Sequence, residues 1–445
     1  LASCAIISGE FNEPGLCHIR HRPDTEQDPV HPFTLAFLAA LAASMALRLW
    51  LDARHIRHVR RHREAVPDAF AVTVTPEAHR KAADYTVAKT RLAVVHALVD
   101  GALLLGLTLG GGVDLLDRVA RGLSGQPLLQ GLALIGGVVL VAAAVDLPLT
   151  AWRIFRIEAR FGFNRMTPAM FLGDLGKQFL VTLALGAPLA AAVLWLMQQA
   201  GTYWWLYAWA VWVAFNLLVV AIYPTYIAPL FNKFTPLADA ALKERVEALL
   251  VRCGFRAQGL YVMDGSRRSS HGNAYFTGFG RGKRIVFFDT LLTRLTPPEV
   301  EAVLAHELGH FRRRHVVKRI AWTFATSLGF LWLLGVLKEA PWFYAALGVS
   351  EPSTAAALVL FFLAVPVFTF PLQPLLAWYS RRHEYEADAY AAEHASAGSL
   401  VDALVKLYKD NAATLTPDPL HSAVYDSHPP AALRIARLRQ AARPS

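Results

Sequence analysis

The sequence predicts a mainly α, multi-pass membrane protein with a cytoplasmic α+β segment organised around a metal-binding helix. Three observations point there. Of the 445 residues, 55% are hydrophobic and only 18% charged, and mean hydropathy is positive at +0.34, a balance unlike that of ordinary soluble domains. Seven apolar stretches are long enough to cross a bilayer as helices. Between the fifth and sixth lies His306-Glu307-Leu308-Gly309-His310, a spacing that sets two imidazoles on one helix face.

Residues 1–31 are polar and patternless and read as a disordered or extraneous tail. Leu1-Ala2-Ser3-Cys4 matches a lipoprotein cleavage box by accident, since no basic and apolar regions precede it. The spans follow at 33–51, 92–112, 127–149, 179–197, 203–223, 320–337 and 355–379. This gives five transmembrane helices in 32–223, a polar segment 224–318, two more helices in 319–379 and a C-terminal segment 380–445.

Loop charge sets the orientation. The first loop carries nine Lys and Arg residues between Arg54 and Arg91, and the third carries Arg153, Arg156, Arg160, Arg165 and Lys177. In the second, Arg118 and Arg121 are offset by Asp114 and Asp117. Basic loops stay in the cytoplasm, so the N-terminus is outside, and 224–318 and the tail after Tyr379 are inside. The Ala/Arg-rich composition points to a bacterial inner membrane. The net charge of +10 is accounted for by these flanking residues, which excludes a nucleic-acid-binding face. Cys4, Cys17 and Cys253 form neither a disulfide framework nor a cysteine metal site.

In 224–318 the pattern predicts a helix over 238–253, strands over 259–263, 273–279 and 284–288, and a hairpin turn at Gly278-Phe279-Gly280-Arg281-Gly282. Thr296-Pro297-Pro298-Glu299 is a capping-box start with proline at the first helical position. Val300, Val303, Leu304, Leu308 and Phe311 then supply an apolar stripe at helical spacing. On this helix His306 and His310 are candidate ligands for one zinc ion, and Glu307 can reach a water held there. A catalytic zinc takes three protein ligands and keeps one position open. His315, five residues after His310, lies off the ligand face of the helix, so the third ligand comes from far away in the sequence. Ser380 to Asp388 reads as helix, with Glu384 and Asp388 four apart on one face and Glu386 pointing away. Glu384 is the candidate third ligand. Asp388 is the candidate acceptor for the free ring nitrogen of a ligand histidine.

These motifs together resemble the type I CAAX prenyl proteases, integral-membrane zinc metalloendopeptidases of the gluzincin kind. The matching pieces are 264–276 (Asp264-Gly265-Ser266 through His271-Gly272-Asn273-Ala274-Tyr275-Phe276), the His306–His310 motif, Ser380-Arg381 with Glu384-Tyr385-Glu386-Ala387-Asp388, and Ser427-His428-Pro429-Pro430. The likeness runs from about residue 33 onward. It implies seven helices around an intramembrane chamber, with a zinc-metalloprotease domain and its single zinc at the cytoplasmic end. It implies that Asn273, Ala274, Tyr275, Phe276, Thr277 and Gly278 form an edge strand on which substrate backbone lies, a mode that needs no particular sequence. It further implies that His428 and Arg434 contact the scissile carbonyl or its oxyanion. His96 and Asp100, costly in lipid, then face the chamber or a neighbouring helix and have no catalytic part.

The expected activity is endoproteolysis near the C-terminus of membrane-associated substrates, isoprenylated or not, with membrane lipid as the other partner. A quality-control protease without prenyl specificity stays open, because prenylated CAAX proteins are a eukaryotic feature. A site-2-type intramembrane protease fits less well, since Phe311-Arg312-Arg313-Arg314-His315 belongs at a surface. An ion transporter would have no use for Glu307.

Overall fold

The computed structural model describes residues 30–256, 258–277 and 284–441. Seven helices are long and apolar enough to cross a membrane: Pro32–Arg61, Pro76–Leu107, Pro127–Glu158, Pro168–Gln199, Gly201–Phe231, His315–Lys338 and Thr354–His394. Each expected apolar stretch falls on one of them, but most helices overrun the stretch. Hydrocarbon thickness sets where a helix must be apolar, whereas capping sets where it begins. Thr75 and Thr167 each accept a hydrogen bond from a backbone N–H in the first turn of the second and fourth helices. The second span ends at Leu107 rather than 112. There Gly111, at φ +74°, turns the chain into a short helix, Gly112–Leu123. The fifth passes its expected end at 223 through a π-turn, Tyr223–Ile227, and continues to Phe231.

Only 6% of the most apolar stretch of the fourth, fifth and sixth helices is buried, so most of their surface is not covered by neighbouring helices. At one end the helices pack on a core that includes Phe37, Leu134, Leu194, Leu334 and Leu347. His96 of the second helix lies 3.6 Å from Asp146 of the third, so it meets a neighbouring helix and not lipid.

The other end carries a four-stranded sheet and its helices. Strands β1 (Phe234–Pro236), β2 (Gly259–Met263), β3 (Ala274–Thr277) and β4 (Arg284–Phe288) lie in the order β1-β2-β4-β3. β2 and β4 are parallel and the other pairs antiparallel. β1 was not expected from its sequence, because three residues containing a proline carry no strand signal. Of the expected strand 273–279, residues Ala274–Thr277 are strand. Gly278 and the rest of the 278–282 turn lie outside the described residues. Ile285 and Phe287 of β4 are fully buried, and with Leu249, Leu304 and Leu308 they join the sheet to its helices in one core.

The helix Pro297–Arg312, bearing the His306–His310 motif, packs along the helix Gln373–His394. The latter continues the seventh span past a 3₁₀ turn, Phe370–Leu372. The two approach closely at Gly309. A Cβ there would stand 2.9 Å from the Ala387 Cα and 3.1 Å from its carbonyl oxygen. Backbone atoms cannot swing aside as a flexible side chain can. Gly309→Ala is therefore expected to push the two helices apart and cost about 1–3 kcal/mol of stability. Thermal unfolding in detergent together with bound-metal content checks this; an unchanged melting temperature with full metal content would refute it.

Candidate metal centre

The motif helix is fixed at its start before any metal is considered. Thr296 and Glu299 form a capping box, in which the Thr296 N–H donates to Glu299 Oε2 at 2.7 Å. Glu299 also pairs with Lys406 at 2.7 Å. Glu301 receives Arg245 at 2.6 Å and Arg252 at 2.5 Å. Burial raises the pKa of each carboxyl, yet these hydrogen bonds outweigh it and hold both below the ordinary glutamate value.

Two turns on, three donors converge. His306 Nε2 and His310 Nε2 are 3.3 Å apart. Glu384 places Oε2 3.5 Å from the first and Oε1 3.4 Å from the second. Ligand atoms about 2.0–2.2 Å from a tetrahedral zinc sit about 3.3–3.5 Å from one another, so the spacing fits such an ion. Glu384 is 5% exposed, and its Oε2 has no hydrogen-bond partner among the described residues. An unpartnered buried carboxylate oxygen is costly, and a cation here removes the cost. Among the described residues this trio is the one group of three or more such side chains whose donor atoms converge.

The outward nitrogens are also engaged. His306 Nδ1 lies 2.9 Å from Asp388 Oδ1, so its N–H donates there and Nε2 is left as the lone-pair face. Burial pulls the His306 pKa down, but the hydrogen bond to Asp388 and the nearby Glu384 carboxylate outweigh it and raise it to about 9. The pocket thus seeks positive charge. Arg434, 5% exposed, donates to both Asp388 oxygens at 2.8 and 2.6 Å and lies 3.6 Å from Glu384 Oε2.

His310 is oriented by residues the sequence reading set aside. The helix does not continue to His315. It is capped at Arg313, Arg314 adopts φ 56°, and a new helix starts at His315. That left-handed turn swings His315 back, so its Nδ1 lies 3.0 Å from His310 Nδ1. Its Nε2 lies 3.1 Å from Glu386 Oε2. With neutral rings, His315 donates to Glu386 and accepts from His310, which leaves His310 Nε2 free for a metal. The basic run Arg312-Arg313-Arg314 was the available signal, since such residues favour a helix C-terminus.

The remaining candidates surround this centre. Glu307 is partly exposed and makes no hydrogen bond or ion pair with a described residue. His428 Nε2 is 3.5 Å from Glu384 Oε1, its side chain is 61% exposed, and its Nδ1 contacts the Ser427 hydroxyl at 3.0 Å. β3 pairs with β4 on one side and leaves its other edge open. The approach to β3 is anchored to the membrane helices. His271 stacks on Phe163 at 4.5 Å, lies 3.2 Å from Asn411 Oδ1 and 3.6 Å from Glu158 Oε2. Glu158 in turn accepts from the Tyr85 hydroxyl at 2.7 Å. Arg268 grips Asp174 through two bonds of 2.8 and 3.0 Å. His271 and Arg268 stood inside a motif with no part assigned to them, because their partners are distant in sequence.

Comparisons with known proteins agree along the chain. Residues 55–233 match the family described as CAAX prenyl protease N-terminal, five membrane helices, and residues 236–442 match peptidase family M48. The chain is 32% identical to CAAX prenyl protease 1 homolog of rice, covering 92% of this chain and 98% of the relative. It is also 32% identical to the human homolog, covering 91% and 95%. The crystal structure of S. mikatae Ste24p superposes with a TM-score of 0.85 at 30% identity, covering 92% of this chain and 99% of that one.

If His315 orients His310, His315→Ala weakens metal binding without removing a ligand. Loss of such a supporting partner lowers affinity about 10–100-fold. Competition with a chelating dye measures it, and wild-type affinity in the variant would remove His315 from the centre.

Proposed function

The chain belongs to the CAAX prenyl proteases of peptidase family M48, multi-pass membrane metalloendopeptidases, and on that premise we propose that it cuts isoprenylated CAAX substrates near their C-termini with one zinc per chain. The observation carrying this reading is the convergence of His306, His310 and Glu384 beside a carboxylate, Glu307, that no described residue engages.

His306, His310 and Glu384 would hold the zinc, which would supply a water of lowered pKa and polarisation of the scissile carbonyl. Glu307 takes the proton from the attacking water and passes it to the leaving amine. His428, exposed and aimed at Glu384, donates to the developing oxyanion. Asp388 holds His306 in its ligand tautomer. Arg434 is given a positioning role rather than the oxyanion contact the resemblance implied, because its guanidinium is buried and bonded twice to Asp388. The open edge of β3, Ala274–Thr277 with Asn273 before it, takes the substrate backbone as an added strand. The membrane helices shelter the lipid.

The first and third loops, rich in arginine, gather at the same end of the helices as the metal centre. That supports a cytoplasmic active site and C-terminus. The relatives named above are eukaryotic, so the bacterial inner membrane expected from composition finds no support in them, and the host membrane is left open.

Glu307→Gln is expected to keep full metal content and lose cleavage by a factor of at least about 10². A transporter would lose nothing. The prenyl group is tested separately: purified, metal-loaded protein should cut a farnesylated CAAX peptide faster than its unmodified twin. Equal rates would favour the quality-control reading.

A further inference from the structure

A second cavity, of about 480 Å³, opens beside the metal centre. Its walls include His428 and Ser427, Lys89 and Thr86 of the second helix, and Tyr408 and Tyr425. Its volume is in the range of sites for small ligands, about 300–1,000 Å³. His428, which lines it, stands 3.5 Å from Glu384, so the cavity adjoins the metal centre.

Lys89 is the unusual member. It projects from the second helix, Pro76–Leu107, just before the apolar stretch that begins at residue 92. Its ammonium lies 4.2 Å from the centre of the Tyr85 ring. No carboxylate of the described residues comes within ion-pairing distance of it. Glu158 acts on it electrostatically but accepts from the Tyr85 hydroxyl and lies 3.6 Å from His271. The side chain is exposed to open space rather than packed. The hydroxyls of Tyr408 and Tyr425 likewise make no hydrogen bond to a described residue, so the same cavity offers further donors. Asp426 also borders the space, which confines an anion to the Lys89 wall.

We propose that Lys89 receives the free α-carboxylate at the substrate's C-terminus. The proposal rests on the proteolytic reading above and deepens it. One end of the substrate lies along β3, the scissile bond sits at the metal centre, and the short fragment beyond it extends into this cavity to end on the ammonium. Three extended residues span about 10 Å, the length of the a-a-X portion of a C-a-a-X end. Lys89 is thus a specificity-determining residue. It measures the distance from chain end to cleaved bond, and it turns a site that reads backbone without sequence into one that cuts near a terminus.

The test compares one farnesylated CAAX peptide as its free acid and as its C-terminal amide, with kcat and KM measured for wild type, Lys89→Met and Lys89→Arg. A hydrogen bond to a charged partner predicts that wild type favours the acid by about 10–100-fold in kcat/KM. Lys89→Met should bring the acid down to the amide's rate while leaving the amide itself unchanged, and Lys89→Arg should keep part of the preference. Metal content and thermal melting of each variant report on folding. The proposal is overturned if wild type cuts acid and amide alike, or if Lys89→Met slows both equally, which is what a merely structural lysine would do. If metal-loaded wild type cuts neither peptide, the underlying proteolytic reading fails, and the carboxylate site falls with it.

Discussion

The structure depends on a buried charge imbalance held between two helices. Glu384 and Asp388 are two carboxylates removed from water, and a single buried guanidinium, Arg434, stands against them. Burying an ion without adequate compensation is among the most expensive things a fold can do. The deficit is positive charge, at a point where two imidazoles present lone pairs. A divalent cation meets it, and a proton on His306 is the lesser substitute. The helices can bring these groups together only because Gly309 and Ala387 allow their backbones to touch. The small residue inside the motif is thus as necessary as the histidines that flank it.

Around this point, orientation is supplied in relays. Asp388 holds His306 and is itself held by Arg434, while Glu386 holds His315, which holds His310. Each ligand ring therefore has its rotation and tautomer set before a metal arrives. Such preorganisation places the cost of ordering in the folding of the protein and not in the binding of the ion. A second set of contacts does the same for β3. Arg268 on Asp174, and His271 between Phe163, Glu158 and Asn411, tie the sheet's open edge to the ends of the membrane helices.

Much of this was legible in the sequence because the signals are local. Apolar length announces spans, a capping box announces a helix start, and residues four apart announce a shared face. That was enough to find seven spans and to single out His306, His310, Glu384 and Asp388, which the fold brings into contact. What escaped was set by tertiary context. The left-handed backbone at Arg314 reverses the path to His315, and an unbroken helix had been assumed there. Glu386, set aside as facing away, does face away from Glu384, yet another helix brings His315 to meet it. β1 is too short to carry a pattern of its own. Helix ends ran past their apolar stretches because caps and π-turns, not hydrophobicity, determine where they stop.

The order of these residues along the chain has a temporal meaning. His306 and His310 are translated before the sixth and seventh spans, Glu384 and Asp388 in the helix that continues the seventh, and Arg434 lies 46 residues beyond Asp388. No part-made chain can hold a metal correctly until both late spans have been inserted and the guanidinium has emerged from the ribosome. A hydrolase growing beside other nascent polypeptides is in this way kept inert by its own threading.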